Sequence, residues 1–103
     1  MLTKASYIQD SEKQPFTVAT IEGLGEVGLI LFRDGQLAEL KELERLAQIA
    51  NIIRDNKGER VFSDEDIKVH IGEKMPPVVR DRVVQKTLEV NGLKIVQEEV
   101  KKN

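Results

Sequence analysis

Residues 55–67 read D-N-K-G-E-R-V-F-S-D-E-D-I, and residues 89–93 read E-V-N-G-L. The first run contains a polar turn, an apolar pair and a helix start, because Ser63 is a favoured N-cap residue and the acids after it suit the helix dipole. The second run is a helix stop, since Gly92 suits the left-handed conformation that ends many helices. This stretch therefore predicts a short capped helix over about residues 64–71, followed by a longer C-terminal helix.

The segment before this stretch predicts a hairpin and a long helix. Residues 16–22 and 26–33 are rich in β-branched and aliphatic residues, and a glycine-containing turn separates them, which favours two antiparallel strands. Residues 36–54 carry leucines and isoleucines at helical spacing, so a single long helix is predicted there. We expect a mainly α protein of the α+β class, with a small N-terminal β-hairpin, one long helix, one short capped helix and one C-terminal helix.

The C-terminal helix is predicted over residues 77–91, because proline suits the first turn of a helix and Pro76-Pro77 stands at this point. Its cations could lie in the major groove of DNA, as the second helix of a helix-turn-helix does. Acidic residues interrupt the cationic stripe, so a solvated face is the main interpretation. A small DNA-binding regulator that uses the 77–91 helix is kept as the alternative function.

Length and composition limit the class of protein. The chain has 103 residues, a formal net charge of −2 and no cysteine. We expect an N-terminal arm over residues 1–15, a single compact domain over residues 16–93 and a charged tail over residues 94–103. The small negative charge argues against a nucleic-acid partner bound through the overall field. The longest apolar run is too short to span a bilayer, so no membrane partner is expected.

Two features could carry chemistry, and neither is convincing as a site. Residues 23–28 match G-x-G-x-x-G, but a strand pattern follows where the dinucleotide motif requires a helix, so a structural turn is the interpretation. His70 is the only histidine and lacks the nucleophile and orienting group that catalysis would require. We predict no catalytic, cofactor-binding or metal-ligating residue, and no enzyme activity.

Apolar stripes are the remaining candidate for function. The second predicted strand is apolar on both faces, and the predicted long helix has a wide apolar surface. The candidate protein-binding residues are Leu29, Leu31, Leu37 and Leu40. The alternative interpretation is that all four lie inside the core of the chain itself.

The opening stretch also resembles a known family. The segments Lys57-Gly58, Phe62-Ser63-Asp64-Glu65-Asp66 and Asn91-Gly92-Leu93 are similar to segments found in the tail assembly chaperones of long-tailed, lambda-like bacteriophages of the siphovirus type. Those proteins often carry D-G-x-x-x-F-(S/T)-D-E-D, followed by a helix that closes on L-N-G-L. The preceding hairpin and helix look similar too, so the resemblance covers most of residues 16–93.

The resemblance implies a non-enzymatic chaperone of tail morphogenesis that forms a homo-oligomer and coats the phage tape measure protein while the tail tube polymerises. In many members a ribosomal frameshift produces a longer form that recruits the tail tube protein, and Lys101-Lys102-Asn103 could be encoded by an A-rich slippery site. It further implies no cofactor, a location in the host bacterial cytoplasm and absence from the mature virion.

Overall fold

The computed structural model of the chain describes residues 3–5 and 13–93. In this part, three strands form one antiparallel sheet in the order β1–β2–β3, with bounds Phe16–Ile21, Gly25–Ile30 and Ile53–Arg54. The α-helices are α1 Gln36–Lys41, α2 Arg45–Ile52 and α3 Pro77–Val90, and a 3-10 turn over Asp64–Asp66 runs into a π-helix over Ile67–Glu73. The protein is a small α+β fold on a three-stranded sheet, so the expectation of a mainly helical protein with a two-stranded hairpin is wrong.

The predicted hairpin is confirmed as part of this larger sheet. β1 and β2 pair antiparallel, with Phe16 opposite Ile30 and Ile21 opposite Gly25. The connection is closed by the Leu24 N–H, which donates to the Ile21 carbonyl at 2.9 Å. A short connection of this kind fixes the register of the strands, and with it the face on which each side chain lies.

The single long helix predicted over residues 36–54 is wrong. The chain leaves helical geometry between α1 and α2, and the last two residues of the predicted helix form β3 instead. In β3, Ile53 lies opposite Leu29. Ile53 is only 3% exposed, and pairing with β2 both buries this β-branched side chain and occupies part of an open sheet edge. The break itself is stabilised by Gln48, whose amide donates to the Leu43 carbonyl at 3.0 Å.

The short capped helix lies where the sequence predicts it, but it is wound as a 3-10 turn and a π-helix. Asp66 Oδ2 accepts hydrogen bonds from the Ser63 N–H at 2.9 Å and from the Ser63 hydroxyl at 3.0 Å. The π winding ends with the Lys74 N–H donating to the Val69 carbonyl at 3.0 Å. This segment buries Ile71 completely, so it contributes to the core as well as to the surface.

The core lies between the sheet, α2, the π-helix and α3. Its most deeply buried side chains are Leu29, Ile49, Ile52, Ile71, Val83 and Thr87. The Thr87 hydroxyl donates to the Val83 carbonyl at 2.7 Å, so the one polar side chain of this set is satisfied. The C-terminal helix predicted over residues 77–91 is confirmed as α3, which buries Val79, Val83 and Thr87.

Two predicted segments lie largely or wholly outside the described residues. They are the arm over residues 1–15, of which the structure describes 3–5 and 13–15, and the tail over residues 94–103. Among the described residues, none of the helices has the length and apolar character needed to cross a bilayer.

Candidate protein-binding surface

The four predicted contact leucines occupy different environments. Leu29 is completely buried at the centre of the core, where no partner can touch it while the fold is intact. Leu31 is half-buried, and its N–H extends the sheet by donating to the Pro15 carbonyl at 2.9 Å. Leu37 and Leu40 are half-buried and line the same groove. The structure therefore brings two of the four together on one surface.

That surface is an apolar groove of about 170 Å³ between α1, α2 and α3. Its apolar side chains come from Phe32, Leu37, Leu40, Ile52, Val84 and Leu88, and its polar border is formed by Lys41, Arg45 and Gln48. We call it the Phe32 groove. Phe32 was not among the predicted contact residues, although its apolar side chain at the end of a strand pattern was a visible signal.

Asn91 holds Phe32 in place. The Phe32 N–H donates to Asn91 Oδ1 at 2.8 Å, and Asn91 Nδ2 donates to the Ile30 carbonyl at 3.0 Å. A second bond from Nδ2 to the Thr87 carbonyl, at 2.8 Å, fixes the amide to the last turn of α3. One side chain thus ties the end of β2 to the end of α3, which are two borders of the groove.

The residues after Asn91 end the helix in the same place. Gly92 has a φ of +74°, its N–H donates to the Glu89 carbonyl at 3.0 Å, and the Leu93 N–H donates to the Leu88 carbonyl at 2.8 Å. These two bonds define a Schellman motif, in which a left-handed residue closes the helix. The sequence N-G-L therefore has a structural task at each position, and Asn91 bonds directly to Phe32 of the groove.

Helix α1 forms a loosely held side of the groove. None of its residues is buried, and Gln36 attaches it to its surroundings through polar bonds. Gln36 Oε1 accepts from the Arg33 N–H at 2.7 Å, and Gln36 Nε2 donates to Gln14 Oε1 at 2.6 Å. Elements with little buried apolar surface are the ones that shift at low cost in free energy. The width of the groove can therefore adjust to an occupant.

The border of the Phe32 groove is cationic. Lys41 and Arg45 are exposed. Within residues 3–5 and 13–93, no acidic side chain lines the groove and none forms an ion pair with either cation. Glu39 lies on a neighbouring depression across α1. The groove thus combines apolar side chains with two unpaired positive charges.

A second, larger concavity of about 330 Å³ lies beside β2. It arises because β3 pairs only with Gly28 and Leu29, which leaves the start of β2 without a neighbour on that side. Val18 and Val61 line it and are 54% and 48% exposed. An open strand edge with apolar side chains is a surface that other chains can pair with.

The groups considered for chemistry lie apart from both concavities or have a structural task. His70 is exposed, and its Nε2 lies 4.0 Å from Asp66 Oδ1. Gly28 sits where a Cβ atom would lie 2.7 Å from the Arg54 carbonyl oxygen, so the G-x-G-x-x-G pattern reflects close strand packing. In the described ranges, no group of three His, Cys, Asp or Glu side chains could hold a metal ion.

Two of the cations on α3, which the alternative function requires, make local contacts. Arg82 Nη2 lies 3.8 Å from Glu22 Oε1, and Lys86 Nζ lies 3.1 Å from Glu89 Oε1. Exposed ion pairs of this kind contribute little to stability, but they reduce the positive field that a DNA-binding helix needs.

Comparison of the chain with protein-family models, curated proteins and solved structures finds no match in any of the three. The resemblance to tail assembly chaperones therefore depends on the sequence alone, chiefly on residues 57–58, 62–66 and 91–93.

Proposed function

We propose that this chain is a non-enzymatic assembly chaperone of bacteriophage tails, which self-associates and binds the tape measure protein during tail morphogenesis. The observation that carries the proposal is the Phe32 groove and its attachment to Asn91. The family-like N-G-L segment ends α3 at the border of the groove, and Asn91 orients the aromatic residue inside it. Asn91 thus links the resemblance to the candidate surface through its bond to Phe32, while Phe62 of the other family-like segment lines the concavity beside β2.

The chemistry of the groove suits a chaperone of a helical protein. A groove between helices accepts the apolar face of an amphipathic helix, which is one of the common modes of peptide recognition. Burial of apolar surface contributes roughly 25 cal/mol per Å², so one small groove binds weakly. Several copies on one long helical partner would together bind tightly, because each further contact is intramolecular. Self-association would supply such copies.

The proposal requires a neighbouring gene that encodes a long helical protein, and it is tested by producing the chain together with that protein. The wild-type chain is expected to keep that protein soluble and to co-purify with it. Leu37→Glu should abolish both effects, because a carboxylate would replace an apolar side chain that lines the groove but lies outside the buried core. Val78→Glu is the matched control, since Val78 is 54% exposed at the start of α3.

Light scattering over a range of concentrations completes the test. The chain is expected to form oligomers as its concentration rises. A chain that remains monomeric and leaves its helical neighbour insoluble would overturn the proposed function, and so would a Leu37→Glu chain that behaves like the wild type.

A further inference from the structure

We propose that the Phe32 groove selects an amphipathic helix whose apolar stripe is flanked by carboxylates, and that Lys41 and Arg45 bind those carboxylates. The inference rests on the proposed function, since it states which segments of a helical partner the groove would take. It adds a chemical rule for the partner, which neither the resemblance nor the apolar character of the groove provides.

The position of Arg45 is the first argument. Arg45 is the first residue of α2, which has no acidic residue in its first turn, and a cation at a helix N-terminus opposes the helix dipole. Glu44 precedes it as the N-cap residue but makes no side-chain capping bond. Arg45 is therefore placed against the preference of its own helix, and such local conflicts are expected at functional positions.

The pairing of Arg45 with Lys41 is the second argument. Lys41 ends α1 and Arg45 begins α2, so the two cations border the groove on either side of the break between the helices. Arginine suits carboxylate recognition because its planar guanidinium can form two parallel hydrogen bonds with one carboxylate. Glu42 and Glu44 are exposed in the break but do not line the groove, so Lys41 and Arg45 are the charged side chains of its described lining.

The helices that surround the groove suit a helix as the occupant. Its sides are α1 and α3, and its apolar contacts include Leu37 and Leu40 on one side and Leu88 on the other. None of the three described strands lines it, in contrast to the concavity beside β2. Carboxylates placed three or four residues from the apolar anchors of a helix lie beside the same face, within reach of a cationic border.

The inference is tested with two synthetic helical peptides that share one leucine stripe. One carries glutamates beside the stripe, the other carries lysines, and each carries a fluorescent label for anisotropy titrations against the full-length chain. We expect the glutamate peptide to bind about tenfold more tightly than the lysine peptide at low salt, and the difference to shrink as salt rises.

Charge reversal identifies the residues responsible. The double variant Lys41→Glu and Arg45→Glu should lose or invert the preference while melting at the wild-type temperature. Lys57→Glu with Lys68→Glu is the matched control, since both lysines are exposed and lie outside the groove. Equal binding of both peptides to the wild type, or an unchanged preference in the Lys41/Arg45 double variant, would overturn the inference.

Two further measurements identify other occupants. If a chain that ends at Leu93 binds the glutamate peptide while the full-length chain does not, residues 94–103 of the chain itself occupy the groove and the inference fails. It also fails if the Lys41/Arg45 reversal abolishes self-association and the peptides show no preference, because the occupant is then a second copy.

Failure of this inference can be separated from failure of the proposed function. A chain whose Lys41/Arg45 reversal still keeps the neighbouring helical protein soluble would retain the proposed function and lose the charge rule. A wild-type chain that prefers the glutamate peptide but leaves that protein insoluble would retain the charge rule and lose the proposed function.

Discussion

The backbone N–H of Phe32 donates to the side-chain oxygen of Asn91 at 2.8 Å, across 59 residues of sequence. The same side-chain amide donates to the Ile30 carbonyl at 3.0 Å, so it supplies hydrogen-bond partners to the backbone at the point where β2 ends. Without it, the Phe32 N–H would lack its partner at the border of the groove. The bond therefore connects the N-G-L segment at the end of α3 to the candidate binding surface.

Replacing Asn91 by alanine should reduce the free energy of unfolding by about 1–3 kcal/mol, because a half-buried donor and acceptor lose their partners. Urea denaturation measures the change. Asn56→Ala is the control, since Asn56 is exposed and a surface change of this kind should stay within about 0.5 kcal/mol. Equal losses in the two variants would contradict the bridging role of Asn91.

Gly58→Ala should destabilise the fold more than Gly25→Ala. Both glycines have a φ of +85°, so each alanine variant has the backbone strain of a left-handed residue, roughly 1–2 kcal/mol. A Cβ atom at Gly58 would also lie 3.0 Å from Phe16 Cδ1, whereas nothing lies within 4 Å of one at Gly25. Thermal melting of both variants isolates the packing contribution, and melting temperatures that coincide would argue against the Phe16 contact.

The sequence predicted the helices and strands whose ends are set by nearby residues. The hairpin, α3 and the Ser63–Asp66 cap depend on turn glycines, a helix-starting proline and capping side chains, all visible in the sequence. The break after α1 has no such signal, because neither glycine nor proline occurs there. β3 exists because Ile53 meets Leu29 of β2, and a contact between distant segments has no local signature.

The candidate site was predictable to a similar extent. Helical spacing identified Leu37 and Leu40, which do line the Phe32 groove. The same apolar character made Leu29 a candidate, because sequence alone does not distinguish a buried leucine from one at a surface. Arg45 was missed, since its conflict with the helix dipole exists only once the chain breaks before it.

Leu29→Ala and Leu37→Ala should separate stability from binding. Leu29 is fully buried, so its truncation should cost about 2–5 kcal/mol of unfolding free energy through lost burial and a cavity. Leu37 is half-buried at the groove, so its truncation should cost less than about 1 kcal/mol and should weaken binding of the leucine-stripe peptides. Denaturation and anisotropy measured on the same preparations show whether each leucine contributes to stability or to peptide binding. A large stability loss in Leu37→Ala would place that residue in the core.

Two aspartates should make the stability of the fold depend on acid pH. The N–H groups of Glu59 and Lys57 hold the pKa of Asp55 below its ordinary value of 3.8. The N–H and hydroxyl of Ser63 do the same for the pKa of Asp66, whose ordinary value is also 3.8. In both cases the hydrogen bonds favour the charged carboxylate of the folded chain.

Because the folded state then binds fewer protons than the unfolded state, stability rises with pH in this range. The contribution is fully present above the unfolded pKa of 3.8 and is lost as pH falls from there through the lower folded values. Urea midpoints measured from about pH 5.5 down to about pH 2.5 should therefore fall in the wild type. The fall should be shallower in Asp55→Asn and in Asp66→Asn, because neither amide titrates. Asp81→Asn serves as the control, since that carboxylate accepts no hydrogen bond from a described residue. If the urea midpoint of Asp55→Asn or Asp66→Asn falls with pH as steeply as that of the wild type, the hydrogen bonds to that aspartate do not couple folding to pH.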